Sequence, residues 1–220
     1  MKILFKYASR SRPQRFFEGL ESIINNITSD DYLVLVTADA NDPTMFNPEV
    51  TARCSQYKNV EIIYGSSVSK IYAINRDLPL YDGWDILVNF SDDMKFITKG
   101  FDENIRTNMQ NFFPDLDGVL HYRDENNGDR LMTMSIMGKK YFDRFGYIYH
   151  PSYISLWSDN EAMVVAKMLG KYKFINRTIF KHNHPAIDTN FMDDQYRHTE
   201  SFFFIDGENF KLRESKNFDL

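Results

Sequence analysis

The sequence predicts an α/β fold: a mostly parallel sheet flanked by helices, joined to a smaller, mixed second half. Three observations predict it. Short apolar runs alternate with segments of helical period through the first 95 residues. A polar loop follows each of those runs directly. Beyond residue 95 the alternation breaks, and apolar runs flank a turn instead. A length of 220 residues suits one domain. The reading divides it into halves at 1–95 and 96–190, with 191–220 as a C-terminal tail.

The elements follow in order. Ile3, Leu4, Phe5 and Tyr7 make a first strand, and the turn Ser9-Arg10-Ser11-Arg12-Pro13 follows. Pro13 suits the first turn of a helix, and Phe16, Phe17, Leu20, Ile23, Ile24 and Ile27 give that helix one apolar face. Tyr32 to Val36 reads as a fully buried strand ending in the polar run 37–42. A short helix is predicted over 50–57, a third strand over Val60 to Tyr64, and a helix over Ser69 to Leu78. Asp85 to Phe90 is the fourth strand, closed by Ser91-Asp92-Asp93. In the second half, Phe101 to Phe112 reads as a helix. Gly118 to Tyr122 and Leu131 to Met137 read as strands around the turn Asn126-Asn127-Gly128-Asp129. Asp159 to Leu169 is a helix, with Ser158 and Glu161 in a capping-box pattern. A single strand is predicted from Phe174 to Phe180, leading into Lys181-His182-Asn183-His184-Pro185.

Composition narrows the function. Hydrophobic residues at 43% and charged residues at 26% exclude disorder over most of the length. A net charge of -5 argues against a broad electrostatic grip on nucleic acid. Cys54 stands alone, so no intrachain disulfide forms. No run approaches the roughly 18 apolar residues of a membrane span. The start lacks the charge-first pattern of a signal peptide. A cytoplasmic protein is expected.

Parallel α/β sheets bind ligands beyond the carboxyl ends of their strands. The loops there hold Ser9, Arg10 and Arg12, then Asp39, then Asp92 and Asp93. Adjacent carboxylates such as Asp92 and Asp93 repel unless a cation neutralises them, and divalent ions held so are commonly shared with substrate phosphates. His182 and His184 are spaced to share one face of a strand, and either completes a metal site begun by Asp93. Carboxylate with imidazole suits Mn²⁺ or Mg²⁺. Arg10 and Arg12 precede a helix N-terminus, the setting for a diphosphate. Lys70 and Arg76 can reach the same cleft, and Asp39 can accept hydrogen bonds from a base or ribose. Asp159 or Glu161 is placed to act as a general base. Arg123, Arg130, Lys139, Lys140 and Arg144 form a local basic cluster, read as a solvated face.

These residues together resemble the GT-A glycosyltransferases, in particular small bacterial and phage members similar to glycosyltransferase family 2. Ser11-Arg12-Pro13 resembles the family's Asn-Arg-Pro turn. Asp39 resembles its nucleobase-binding acid. Lys70-Ile71-Tyr72-Ala73-Ile74-Asn75 resembles its Lys-x-x-Ala-x-Asn helix. Phe90-Ser91-Asp92-Asp93-Met94 resembles its Asp-x-Asp strand end. Asp159-Asn160-Glu161 resembles its acidic base motif, and His182-Asn183-His184-Pro185 its late histidine. The match covers roughly residues 1–190. Ser91 departs from it by standing at the first Asp position, which leaves Asp93 as the metal ligand and Asp92 as a partner to ribose or metal. His184 is the favoured histidine.

The resemblance implies a GT-A fold whose first half binds the nucleotide sugar and whose second half binds the acceptor. It implies a metal-dependent, inverting transfer from a nucleotide-diphosphate sugar, a UDP-sugar first. The acceptor would be a hydroxyl of a saccharide, or of a hydroxylated base in phage DNA. Paired Asp with His also suits a nucleotidyltransferase or metal-dependent phosphoesterase, and Ser91 suits a non-catalytic binding module.

Overall fold

The computed structural model describes residues 1–185 and 188–220. Its centre is a seven-stranded sheet. The first half supplies β1 (Ile3–Ser9), β2 (Tyr32–Asp39), β3 (Val60–Gly65) and β4 (Ile86–Phe90). The second half adds β6 (Val119–Tyr122), β7 (Ile136–Gly138) and β8 (Tyr172–Ile175). The order is β3-β2-β1-β4-β7-β6-β8. Only β7 runs antiparallel to its neighbours. A separate two-stranded sheet pairs β5 (Met94–Phe96) with β9 (Phe180–His182).

Both faces of the parallel strands are covered, which is why they read as continuous apolar runs. One core lies between the sheet and α1 (Pro13–Asn26) and α4 (Phe101–Phe112), around Phe5, Phe16, Phe90, Phe96 and Phe101. Gly19 lets α1 settle onto β1, since a Cβ there would collide with the Tyr7 hydroxyl. The opposite core gathers Leu4, Leu87, Trp84, Met137 and Tyr153 beneath α3 (Lys70–Asn75), α5 (Lys139–Phe145) and α6 (Ser158–Met168). α2 (Pro48–Cys54) starts earlier than the periodicity predicts, because Asn47 caps it and Pro48 opens it. The tail folds into α7 (Asp194–Glu200) and α8 (Phe203–Glu214). Among the described residues, no helix is long and apolar enough to cross a membrane.

Three expectations are corrected. The predicted strand over 174–180 is two strands in different sheets: the chain leaves β8 beside β6, crosses at Asn176 to Ile179, and re-forms as β9 beside β5. The predicted strand over 131–137 shrinks to β7, and the turn at 126–129 is an Asp124-anchored loop rather than a hairpin end. The capping box at Ser158 does not form. Trp157 is the N-cap, in the left-handed region at φ 63, with no side-chain cap bond.

Candidate active site

A cleft of about 320 Å³ opens at the carboxyl ends of β1, β2 and β4. Ser9, Arg10, Arg12, Asp39, Lys70, Asp92 and Asp93 line it, as the strand-end rule leads one to expect. Ile154, Ser155, Tyr196 and Phe202 close it from the second half and the tail.

The two arginines do not stand free for a diphosphate. Arg10 donates to Asp39 at 2.6 Å and to Asn41 at 2.8 Å. Arg12 donates to Asp92 at 3.0 Å and grips Asp193 through two bonds of 2.8 and 2.6 Å. Ser9 takes the other oxygen of Asp92 at 2.8 Å. Burial and the neighbouring Asp93 raise the Asp92 pKa against these donors. The turn carrying both arginines is pinned by Asp42, which accepts the N–H of Ser11 at 2.7 Å, and Ser11 sits at φ 61.

Asp39 is held from behind. Arg76 donates to Ala38 O at 3.1 Å and lies 3.7 Å from Asp39 Oδ1, lodged over Gly65, where a Cβ would come within 2.8 Å of it. Asp39 Oδ1 is buried and accepts no hydrogen bond, with the Arg76 guanidinium as its charge partner. Lys70 is exposed at the first position of α3, and among the described residues no carboxylate pairs with it.

Asp93 sits at the centre. It accepts the hydroxyls of Ser91 and Tyr196 and faces His182 Nε2 at 3.5 Å. Burial opposes its charge, but His182 and these hydroxyls hold its pKa far below the usual carboxylate range. On its other side His182 Nδ1 meets Asp124 at 3.3 Å. Burial works against the imidazolium, yet the two carboxylates push His182 up to about 9. His184 packs its ring 5.4 Å from that of His182 and 5.5 Å from Tyr196. The structure thus puts His182, not the favoured His184, against Asp93. β9 ends at His182, so strand alternation no longer governs His184.

Among the described residues, no three His, Cys, Asp or Glu side chains converge as a metal-binding group. Two donors do face each other, Asp93 and His182, with Asp124 behind the imidazole as a metal-bound histidine requires. That pair would suit a divalent ion that takes its remaining ligands from a substrate and water.

Asp159 and Glu161 part company. Two residues along a helix is a turn of roughly 200°, so the two carboxylates face different sides, and neither is among the residues that line the cleft. Burial raises the Asp159 pKa, opposed by the charges of Lys70 and His182. Glu161 points into the protein instead, a correction to its expected role as a base. It accepts two bonds from Arg213, 2.7 and 2.9 Å, and the hydroxyl of Tyr153 at 2.8 Å. The cavity beside it is about 30 Å³, room for a water or two.

Asp124, Asp193 and Tyr196 belong to this constellation and escape sequence reading. Each touches its partner across a long chain separation, and only the 182–184 histidines hint at a second carboxylate nearby.

No family model and no curated protein sequence matches the chain. Solved structures do. The mannosyltransferase PcManGT from Pyrobaculum calidifontis, in complex with GDP-Man and Mn²⁺, superposes with a TM-score of 0.68 at 12% identity, over 83% of this chain and 56% of that one. S. aureus TarS 1–349 superposes with a TM-score of 0.65 at 14% identity, over 84% and 61%. Its complex with UDP-GlcNAc gives 0.64 at 13%, over 82% and 58%. The chain has a glycosyltransferase fold of the GT-A type. It spans less than two thirds of the length of each of these proteins.

Proposed function

We propose that this chain is a metal-dependent glycosyltransferase that moves a sugar from a nucleotide-diphosphate sugar, a UDP-sugar first, to an acceptor hydroxyl with inversion. The observation that carries the reading is Asp93 facing His182, braced by Asp124, at a cleft that Asp39 also lines. Asp39 reads a ring N–H of the base. Lys70 meets the diphosphate. Asp93 and His182 hold the divalent ion, which when bound supplies charge that stabilises the leaving diphosphate. Asp159, its pKa raised by burial, takes the proton of the attacking hydroxyl.

A saccharide acceptor is favoured over nucleic acid. Three of the five cations of the basic cluster are already paired: Lys139 with Asp143, Lys140 with Asp115 and Arg144 with Asp117. The test is calorimetry and thermal shift with UDP, GDP and their sugars, with and without Mn²⁺. A ligand at 100 times its Kd stabilises by about 2.7 kcal/mol. A manganese-dependent shift supports the reading. Release of pyrophosphate rather than nucleoside diphosphate on turnover points to nucleotidyl transfer instead, and no binding at all removes the donor assignment.

A further inference from the structure

The loop ahead of α6 is built around a carboxylate of the C-terminal helix. Asp206, in the first turn of α8, is 2% exposed. It accepts the backbone N–H groups of Ile154 at 2.9 Å, Ser155 at 2.8 Å and Leu156 at 2.8 Å. Three consecutive amides on one carboxylate fix that backbone. Trp157 follows at φ 63, a conformation uncommon for a bulky residue. Its indole donates to Phe203 O at 3.1 Å and lies over Gly207, where a Cβ would come within 3.2 Å of the indole nitrogen. The start of α8 therefore holds segment 154–157 at both ends.

Ile154 and Ser155 form part of the cleft wall. Ser155 is 5% exposed, and its hydroxyl is buried with no hydrogen-bond partner. Buried hydroxyls in folded proteins are nearly always paired. The main chain on either side is held by Asp206, so the loop cannot shift to find one. Ser155 stands four residues before Asp159, on the loop that leads into the helix of the proposed base. A neutral hydroxyl both donates and accepts, which matches another hydroxyl better than it matches a diphosphate. On the reading above, the cation of Lys70 serves the latter.

We propose that Ser155 is a specificity residue whose hydroxyl hydrogen-bonds a hydroxyl of the transferred sugar, with Asp206 as the residue that positions it. This rests on the nucleotide-sugar reading above. A site built to bond a substrate hydroxyl discriminates against a ligand that lacks it, because its own polar group is then left unpaired.

The experiment measures Kd for UDP, UDP-GlcNAc, GDP and GDP-mannose in the presence of Mn²⁺, on the full chain and on Ser155→Ala. Melting curves confirm that the variant folds. The expected result is unchanged affinity for the bare nucleotide that binds, and about threefold to tenfold weaker affinity for its sugar. Asp206→Asn, where it folds, repeats the same selective loss. Equal effects on nucleotide and nucleotide sugar, or no effect on either, overturn the role of Ser155 while leaving the transferase reading intact. If no nucleotide binds the wild-type chain, the transferase reading itself falls and the proposal with it.

Discussion

The hydroxyl of Tyr196 donates a hydrogen bond to the carboxylate of Asp93, a residue 103 positions earlier in the chain. Asp193, one turn before it, holds Arg12, whose guanidinium lies 4.2 Å over the Tyr196 ring. The C-terminal segment therefore touches both the carboxylate proposed to meet the ion and the arginine beside it.

In the proposed site the ion would compete with the Tyr196 phenol for Asp93. Tyr196→Phe removes the competitor. Manganese-dependent nucleotide affinity is expected to rise about threefold to tenfold, read by calorimetry. A fall in affinity would instead make Tyr196 part of the ligand-binding surface.

Asp93→Ala is expected to abolish the manganese-dependent part of nucleotide binding. Any nucleotide binding independent of the ion persists. Retained manganese dependence in this variant would refute the assignment of the ion to Asp93.

Asp159 and Glu161 separate by their failure modes. Asp159→Asn is expected to lower turnover by about 100-fold or more while nucleotide affinity holds. Glu161→Gln breaks a buried pair with Arg213 and is expected to cost on the order of 3 kcal/mol of stability, read by urea unfolding. The reverse pattern would exchange their roles.

Asp206→Ala leaves the N–H groups of Ile154, Ser155 and Leu156 without their acceptor. A loss of about 2–4 kcal/mol is expected, since each unsatisfied buried donor carries its own desolvation penalty. Equilibrium unfolding measures it.

Lys6 is fully buried on β1, donates to Thr37, and lies 3.9 Å from Asp77. Burial lowers its pKa from 10.5 to about 7, against the opposing charge of Asp77. The unfolded chain then binds more protons than the folded one between these values. The contribution of Lys6 to stability therefore rises with pH across that window, by up to about 1.4 kcal/mol per unit. His182, raised to about 9, contributes the opposite slope over the same window, so the test is the difference: the change in unfolding free energy from pH 7 to pH 9 should be more positive in the wild type than in Lys6→Met. An identical slope in both would place the titration elsewhere.

The parallel half of the fold was legible because its strands are buried on both faces and its loops are polar. Asp39, Asp92 and Asp93 were legible for the same reason: a strand end followed by an acid is a local pattern. The pairing of Arg12 with Asp193, of His182 with Asp124 and of Glu161 with Arg213 was not, because nothing local in the sequence marks which distant charge will neutralise which. The break between β8 and β9 falls at the polar run Asn176-Arg177-Thr178, with no Gly or Pro to mark it. Trp157 defeated the capping rule because its left-handed backbone is imposed by packing on α8, a tertiary cause that no capping motif records.

β9 meets β5 through three residue pairs, with His182 opposite Met94, the residue after Asp93. The spacing between the two proposed ion ligands is thus set by ladder register, not by loop shape. Residues added to the crossover at 176–179 would change its length and leave that register alone. One residue added between Phe180 and His182 would turn the imidazole to the far side of the ribbon. The crossover can therefore change length between Asn176 and Thr178 more readily than the three residues after it, whose number is fixed by the ladder and among which His182 is fixed in identity by the proposed site.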